Sequence, residues 1–588
     1  MYRIFLSLRY LRTRLLAVFA AIAVMLCAFM LIVAISVMNG FVNKLEDAAK
    51  GLFGDVIIEA TSASGFGLYD EFIAEITDPN TGVEGVEAAS PFIVTEGLLR
   101  VPAASDFQRV VKVAGIRLPE RMDVTDLRDG LWTQRNLQAP SFDPNLSTPI
   151  TRIRREISRT RRFADELAEI VDQKRRRVET LRSQGANAGD LQPALLELAE
   201  AEHNFERASR GVNQLHHGMQ QLQRGRPYQQ RMRETWEAIT ELRENHASPQ
   251  DSNQMLDLLD RLDELVEVSG LQPPGERAIV GARIPGFNWR ADFGQTVRFM
   301  APGHDLTLMV FPIGRQISQT DISLPKRRFT VIDEIATDIY QIDSEYVFIP
   351  FRTAQMLNEM TARYSVEDPN RVAIPARCSS VHVKLAAALA ENEPAMQETV
   401  KDIQSRWIAF REENPLVYAG SDVNITTWRQ RQARVIAPIQ AQRTLVAIMF
   451  TIMSVVAPFA IFVIFYMIVV QKTKDIGVLK AIGASDLGVA SIFLFYGALL
   501  GVVGSLLGLV GGYFFIRHIN PIHEWMGRAM GFQVWTPETF LFTEIPNQVD
   551  WSAALMIVVG SAAAGILGAA IPAIHAARMQ PVEALRYE

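Results

Sequence analysis

The chain has 588 residues, of which 48% are hydrophobic and 21% charged, and carries a formal net charge of −6. That length accommodates several domains. Two cysteines, Cys27 in an apolar run and Cys378 in a polar region, exclude a disulfide framework and are not expected to pair. The averages conceal an uneven layout, with apolar residues piled at the two ends and charges in the middle.

Residues 1–14 carry Arg3, Arg9, Arg12 and Arg14 and no acid. Leu15–Val42 follows without a charge, and a bilayer span needs roughly 20 apolar residues. Its length exceeds a signal peptide's apolar core, and no small-residue cleavage site follows closely, so it reads as an uncleaved anchor. Residues 43–150 are short β-like runs separated by turn residues: GDVIIEA (54–60), PFIVTEGLLRV (91–101) and RVVKVAGI (109–116).

Residues 151–276 change texture. Positions 153, 157, 160, 164, 167, 171, 174, 178 and 181 read I, I, T, A, L, V, K, V, L, a heptad seam weakened at Thr160 and Lys174. SQGANAGD (183–190) is a turn. A second seam runs from Leu191 through Leu198, Val212 and Leu222 before RGRP (224–227) breaks it. Met232–Leu242 and Met255–Val268 form another pair. Two antiparallel helical hairpins, a coiled-coil insertion, are expected here. Their arginines interleave with Glu156, Asp165, Glu166, Glu169 and Asp172, which describes a solvated face and not a nucleic-acid surface.

Residues 277–420 return to β texture in AIVGARI (278–284), RRFTVIDEI (327–335), SEYVFIP (344–350) and SVHVKL (380–385), with helices near Phe351–Ala362 and Ala395–Glu412. Residues 421–443 read as a helical stalk leading into a second span, 444–470, which Pro458 is expected to kink. Then comes KTKDIGVLKAIGAS (472–485). A lysine or aspartate at the bilayer centre costs roughly 2.5–3.5 kcal/mol, so the charges of this segment together would cost on the order of 10 kcal/mol. Residues 471–486 therefore leave the membrane, and 487–516 forms the third span. A short connection, 517–550, a fourth span, 551–574, and a tail, 575–588, complete the chain. The Lys/Arg distribution places both termini and 471–486 in the cytoplasm, and 43–443 and 517–550 outside it.

Within the third span, Gly497, Gly501, Gly504, Gly508 and Gly512 fall on nearly one face, and the fourth carries Gly560, Ala564 and Gly568. Such spacing lets helices approach closely. No charge lies within a span, so nothing suggests an ion path. No G-x-x-x-x-G-K-[ST], H-E-x-x-H or G-x-S-x-G occurs, and HINPIHE (518–524) spaces His518 and His523 poorly for one metal. His216 and His217 read as surface residues. No catalytic, cofactor or metal site is expected in this chain.

The loop KDIGVLKAIGAS between two spans resembles the coupling segment of FtsX/MacB-type ABC permeases, and IPAIHAARMQPVEALRYE (571–588) resembles their ending. SVMNGF (36–41), RRFTVIDEIATDIYQIDSEYVFIP (327–350) and ITTWRQRQARV (425–435) look most like the LolC/LolE lipoprotein-releasing branch. The insertion at 151–268 departs from that pattern. The resemblance implies an α+β membrane protein of four transmembrane helices and a large extracytoplasmic, MacB-like periplasmic core domain, in a bacterial inner membrane. It also implies that Lys474, Asp475, Ile476, Gly477, Val478, Leu479, Lys480, Ile482 and Gly483 engage separate P-loop ABC ATPase subunits. Ile476, Val478, Leu479 and Ile482 would dock, the lysines would stay wet and Gly483 would end the helix. ATP and magnesium would sit on that partner. A second permease chain, identical or not, is implied too, and a periplasmic protein on the insertion would fit. The expected task is mechanotransmission to lipoprotein release or export of an amphipath. The rival readings are a non-transporting switch for an envelope enzyme and a membrane-anchored scaffold without an ATPase.

Overall fold

The computed structural model describes residues 15–101, 108–244, 249–290, 295–313, 324–337, 339–364, 372–414, 422–530, 535, 542 and 544–580. The expected cytoplasmic N-terminus, 1–14, and the end of the tail, 581–588, lie outside the described residues. The chain divides into two units, Ala48–Arg431 and Met1–Asp47 with Gln432–Glu588.

The first of these is built on nine strands: β1 (Val56–Ala60), β2 (Val86–Arg100), β3 (Gln108–Ile116), β4 (Arg277–Gly281), β5 (Asp305–Val310), β6 (Lys326–Ile335), β7 (Tyr346–Pro350), β8 (Ser380–Leu385) and β9 (Val423–Thr427). Their order is β9-β1-β8-β2-β3-β7-β4-β6-β5. The 15-residue β2 serves two neighbours along one edge. Its first half pairs with β8, and Gly97–Arg100 pairs with Thr307–Val310 of β5. That second pairing returns the sheet to β2 and closes β2, β3, β7, β4, β6 and β5 into a ring, which leaves fewer open edges. Strands β7 and β6 run parallel to β3 and β4 respectively. Within these parallel pairings, Thr330–Ile335 of β6 and Tyr346–Ile349 of β7 are buried, as parallel pairing requires. Helices α2 (Tyr69–Thr77), α7 (Phe351–Leu357) and α8 (Glu393–Glu413) belong to this unit, and Phe72 of α2 meets Trp407 of α8 edge-on at 4.9 Å.

One residue range reads differently in the structure. Residues 423–427, expected at the start of a helical stalk, form β9 on β1. VNITT is dominated by β-branched residues, whose stiff χ1 suits a strand. Helix resumes at Trp428–Arg431.

Between β3 and β4 the chain emits α3 (Ser147–Ser183), α4 (Ala188–Gly225), α5 (Gln229–Glu244) and α6 (Pro249–Ser269). Arg175 reaches Glu202 at 2.9 Å and Arg161 reaches His216 at 3.1 Å, partners whose numbers run in opposite senses, so α3 and α4 are antiparallel. Ile150, Ile153 and Ile157 pack on Leu215 and Leu222. The α5–α6 pair closes over Met232, Ile239, Leu262 and Leu265.

The second unit contains the N-terminal part of α1 (Leu15–Phe53), then α9 (Ala433–Ser454), α10 (Val456–Gln471), α11 (Thr473–Ala481), α12 (Asp486–Arg517), α13 (Ile519–Met530) and α14 (Trp551–Arg578). Among the described residues, four stretches are long and apolar enough to cross a membrane: Val18–Phe53, Ile436–Gln471, Asp486–Arg517 and Trp551–Arg578. The second is broken at Val455, between α9 and α10. Pro458 lacks the N–H that would bond Ser454, so the break falls one turn before it. The connection after α12 is fastened by SVMNGF: Asn39 donates to Asp550 at 2.5 Å, Ser36 accepts from the Asp550 amide, and Phe41 meets Trp535 and Phe542 edge-on. His518 bonds the Phe514 carbonyl and His523 accepts from the Trp535 amide, so the two rings serve separate partners.

His304 ties α4 to the strand domain. Its Nδ1 lies 3.1 Å from the Ala301 amide nitrogen and 2.9 Å from the Ala301 carbonyl oxygen, its Nε2 lies 2.8 Å from the Gln214 side-chain oxygen, and His217 stacks on it. Burial holds its pKa down at about 4, against 6.5 for a free imidazole. Between those values the unfolded chain binds a proton that the folded chain refuses. Stability conferred by the neutral ring should thus be intact above pH 6.5 and fall away as pH drops toward 4. Amide exchange of α4 followed across this range should show the loss, and His304→Gln should flatten it.

Candidate functional site

The site begins where α10 ends. Lys472 closes that helix with its amide on the Ile468 and Val469 carbonyls, and its ammonium pairs with Asp475. Thr473 returns its hydroxyl to Val470 at 2.9 Å. The next nine residues form α11, whose inward face carries Thr473, Ile476 and Gly477. Ile476 is 4% exposed and packs with Val469, Val489 and Ala576.

Helix α11 stops on a Schellman turn. The Gly483 amide bonds the Lys480 carbonyl at 3.0 Å and the Ala484 amide bonds Leu479 at 3.1 Å. Gly483 adopts φ +106°, a left-handed conformation that glycine alone takes without strain. Two residues later Ser485 caps α12, its hydroxyl accepting from the Gly488 amide at 3.2 Å. The sequence KAIGASD thus encodes one helix stop and one helix start within seven residues.

Lys480 corrects the expectation that the lysines stay wet. Its side chain is 10% exposed and its ammonium donates to the carbonyls of Ala577 at 2.5 Å and Met579 at 2.9 Å. Asp486 stands 2.8 Å away as its counterion. Those carbonyls close α14, where a cation meets the negative end of the helix dipole. Lys474 and Asp475 are exposed.

The apolar set is split as well. Ile476 faces inward and Leu479 is half-buried, whereas Val478 and Ile482 are 47% and 81% exposed. Leu487, the second residue of α12, is 84% exposed. Sequence reasoning assigned Leu487 to a span and missed it as part of this tip; its place directly after the Ser485 cap was the available signal.

The packing glycines of α12 fall on one row but serve two partners. Gly497 and Gly501 lie against Gly565 and Ser561 of α14, while Gly504, Gly508 and Gly512 lie against Val24, Met25 and Ile32 of α1. A Cβ at Gly497 would stand 2.5 Å from the Gly565 carbonyl oxygen, and one at Gly508 2.6 Å from that of Met25. Gly568 lies against Pro458 and Ile461 of α10. A Cβ at Gly560 would enter open space, and Gly560 lines a cavity of about 170 Å³ with Cys27, Ser454 and Ser561. The residue that completes the close approach is Gly565, which the four-residue count from Gly560 passes over.

Residues 447–581 match the FtsX-like permease C-terminal family. The chain is 26% identical over 164 residues to the lipoprotein-releasing system transmembrane protein LolC of Xylella fastidiosa (strain Temecula1 / ATCC 700964), covering 28% of this chain and 40% of that protein. With LolC of Neisseria meningitidis serogroup B it shares 22% identity over 372 residues, 60% of this chain and 82% of the relative. With the macrolide export ATP-binding/permease protein MacB of Bdellovibrio bacteriovorus it shares 24% over 250 residues, 41% and 35% of the two chains.

Two substitutions probe the tip. Gly483→Ala forces a left-handed alanine and should cost about 1 kcal/mol in thermal unfolding. Lys480→Met removes the donor from two helix-end carbonyls, and should raise amide exchange over 472–485 while leaving α1 unchanged. The chain carries an FtsX-like permease domain over residues 447–581 and is related to ABC transporter permeases of the LolC/LolE and MacB kinds.

Proposed function

We propose that this chain is the membrane-spanning permease of an ABC system of the mechanotransmission type, driven by a separate P-loop ATPase. The observation that carries this reading is the tip itself. Val478 of α11, Ile482 at its C-terminal cap and Leu487 at the start of α12 present apolar side chains outward, on a corner locked in place by Ile476, Lys480 and the Gly483 turn. An exposed apolar cluster on a rigid, charged-rimmed element is the form expected of a protein docking surface. The ATPase closing on ATP would push α11. Two such chains, identical or not, would stand side by side through their spans. The strand domain and its helical insertion would lie on the opposite side of an inner membrane and receive the motion, and the cargo would be a lipoprotein or another amphipath.

The test uses the tagged full chain, purified gently from its native membrane, with mass spectrometry of what accompanies it. A P-loop ATPase is expected in stoichiometric amount. Ile482→Asp and Leu487→Asp change exposed positions, so folding should survive while ATPase recovery falls at least tenfold. Full ATPase recovery by both variants would remove the tip from the interface. No ATPase with the wild-type chain, under conditions that preserve a known ABC complex, would favour a scaffold.

A further inference from the structure

The strand domain contains a cleft that the reading above does not use. It has a volume of about 820 Å³ and opens between α2, the end of β3, the last turn of α5 and α7. Small-molecule sites commonly span about 300–1,000 Å³ and combine apolar walls with a few polar groups. Phe142, Leu118, Phe351 and Met356 supply the apolar surface.

Its charges are unevenly disposed. Arg117 is already engaged: it forms a forked pair with Asp70 at 2.8 and 3.2 Å, and its guanidinium lies over Tyr69 and Phe351. Asp70 is the one carboxylate among the described lining residues. Across the cleft stand Arg243 and Arg352. Arg243 closes α5, and its hydrogen-bond partner among the described residues is the Met356 sulfur at 3.8 Å. The carboxylate nearest in its electrostatics, Glu276, is held by Arg327 at 3.2 Å. Partial burial, and then the like charges of Arg327 and Arg352, push the Arg243 pKa below its ordinary value. A guanidinium so placed gains from an anion, and its planar fork matches a phosphate or carboxylate.

We propose that this cleft binds an amphipathic anion, its phosphate or carboxylate seated between Arg243 and Arg352 and its apolar body lying over Phe351, Met356 and Leu118. The chemistry is shared by an acidic phospholipid of the bilayer and by a free amphipath. The proposal stands whether or not an ATPase drives the chain.

The experiment uses full-length protein in nanodiscs of zwitterionic lipid, with an octyl phosphate bearing a terminal diazirine as photoprobe. Adducts are expected within residues 350–362, displaced by plain octyl phosphate but not by octanol or inorganic phosphate. The double variant Arg243→Gln/Arg352→Gln should lose labelling at least tenfold, and Ala362→Trp should block it sterically with all charges kept. Either variant suffices if the other fails to fold. Displacement by phosphatidylglycerol added to the discs would identify the bilayer as the source, and displacement by the soluble alkyl phosphate alone would identify a free ligand. Equal competition by octanol, adducts confined to other segments, or wild-type labelling in a folded variant would overturn the proposal.

Discussion

A lysine ammonium removed from water must find acceptors, and Lys480 finds three. Its bonds to Ala577, Met579 and Asp486 join the tip helix α11, the start of α12 and the end of α14 at one point. Charge-assisted bonds of this kind are shorter and stronger than neutral ones. The apolar packing of Ile476 against Val469, Val489 and Ala576 spans the same elements. The tip is therefore a rigid corner of the helix bundle. Its outward residues, Val478, Ile482 and Leu487, keep their positions because the inward ones are fixed.

The strand domain obeys a different constraint, that of closing a sheet around one long strand. Because β2 pairs with β8 in its first half and β5 in its second, a single strand carries both the ring and the three-stranded extension. This arrangement also explains how more than a hundred residues of helix can be emitted without disturbing the core. The chain leaves after β3 and re-enters at β4, and both strands pair with β7. The two ends of the insertion are thus held on either side of the same strand, and the helices add a core of their own.

Local signals were legible in the sequence and distant ones were not. The apolar runs, the glycine row of α12, the glycine stop at 483 and most strands announce themselves through period, composition or turn chemistry over a few residues. The inward turn of Lys480 depends on carbonyls 97 and 99 residues further along the chain, which no local pattern encodes. Positive charge in a short loop read as wet, although the same charge serves equally well as a helix cap. Gly560 and Gly565 show the same limit, since small-residue spacing permits a close approach without saying which glycine meets a partner. VNITT was absorbed into a helical reading because the helix-forming run after it is longer. Its β-branched content was the better guide. His304 gave no pattern at all, being recognised only by the helix packed on it.

Helix α14 shows how the bundle's two ends are related. At its N-terminus Asp550 accepts the amides of Ser552 and Ala553, each at 3.0 Å, and these bonds, with those from the Ser552 hydroxyl and Asn39, hold its pKa down at about 2. At its C-terminus Lys480 takes the final carbonyls. An anion at the positive end and a cation at the negative end both suit the helix dipole. Neither belongs to α14 alone. Asp550 is also bound by Asn39 and Ser36 of α1, and Lys480 belongs to α11. At 1.5 Å per residue the helix is about 42 Å long, so it ties the tip to the far end of the first span across the full bilayer thickness. Displacing α11 without displacing the Ser36–Asn39 turn of α1 would require breaking a charged cap at one end of α14 or bending the helix between them. The SVMNGF stretch and the lysine of VLKAIGAS, more than four hundred residues apart in sequence, are therefore the two ends of one mechanical element.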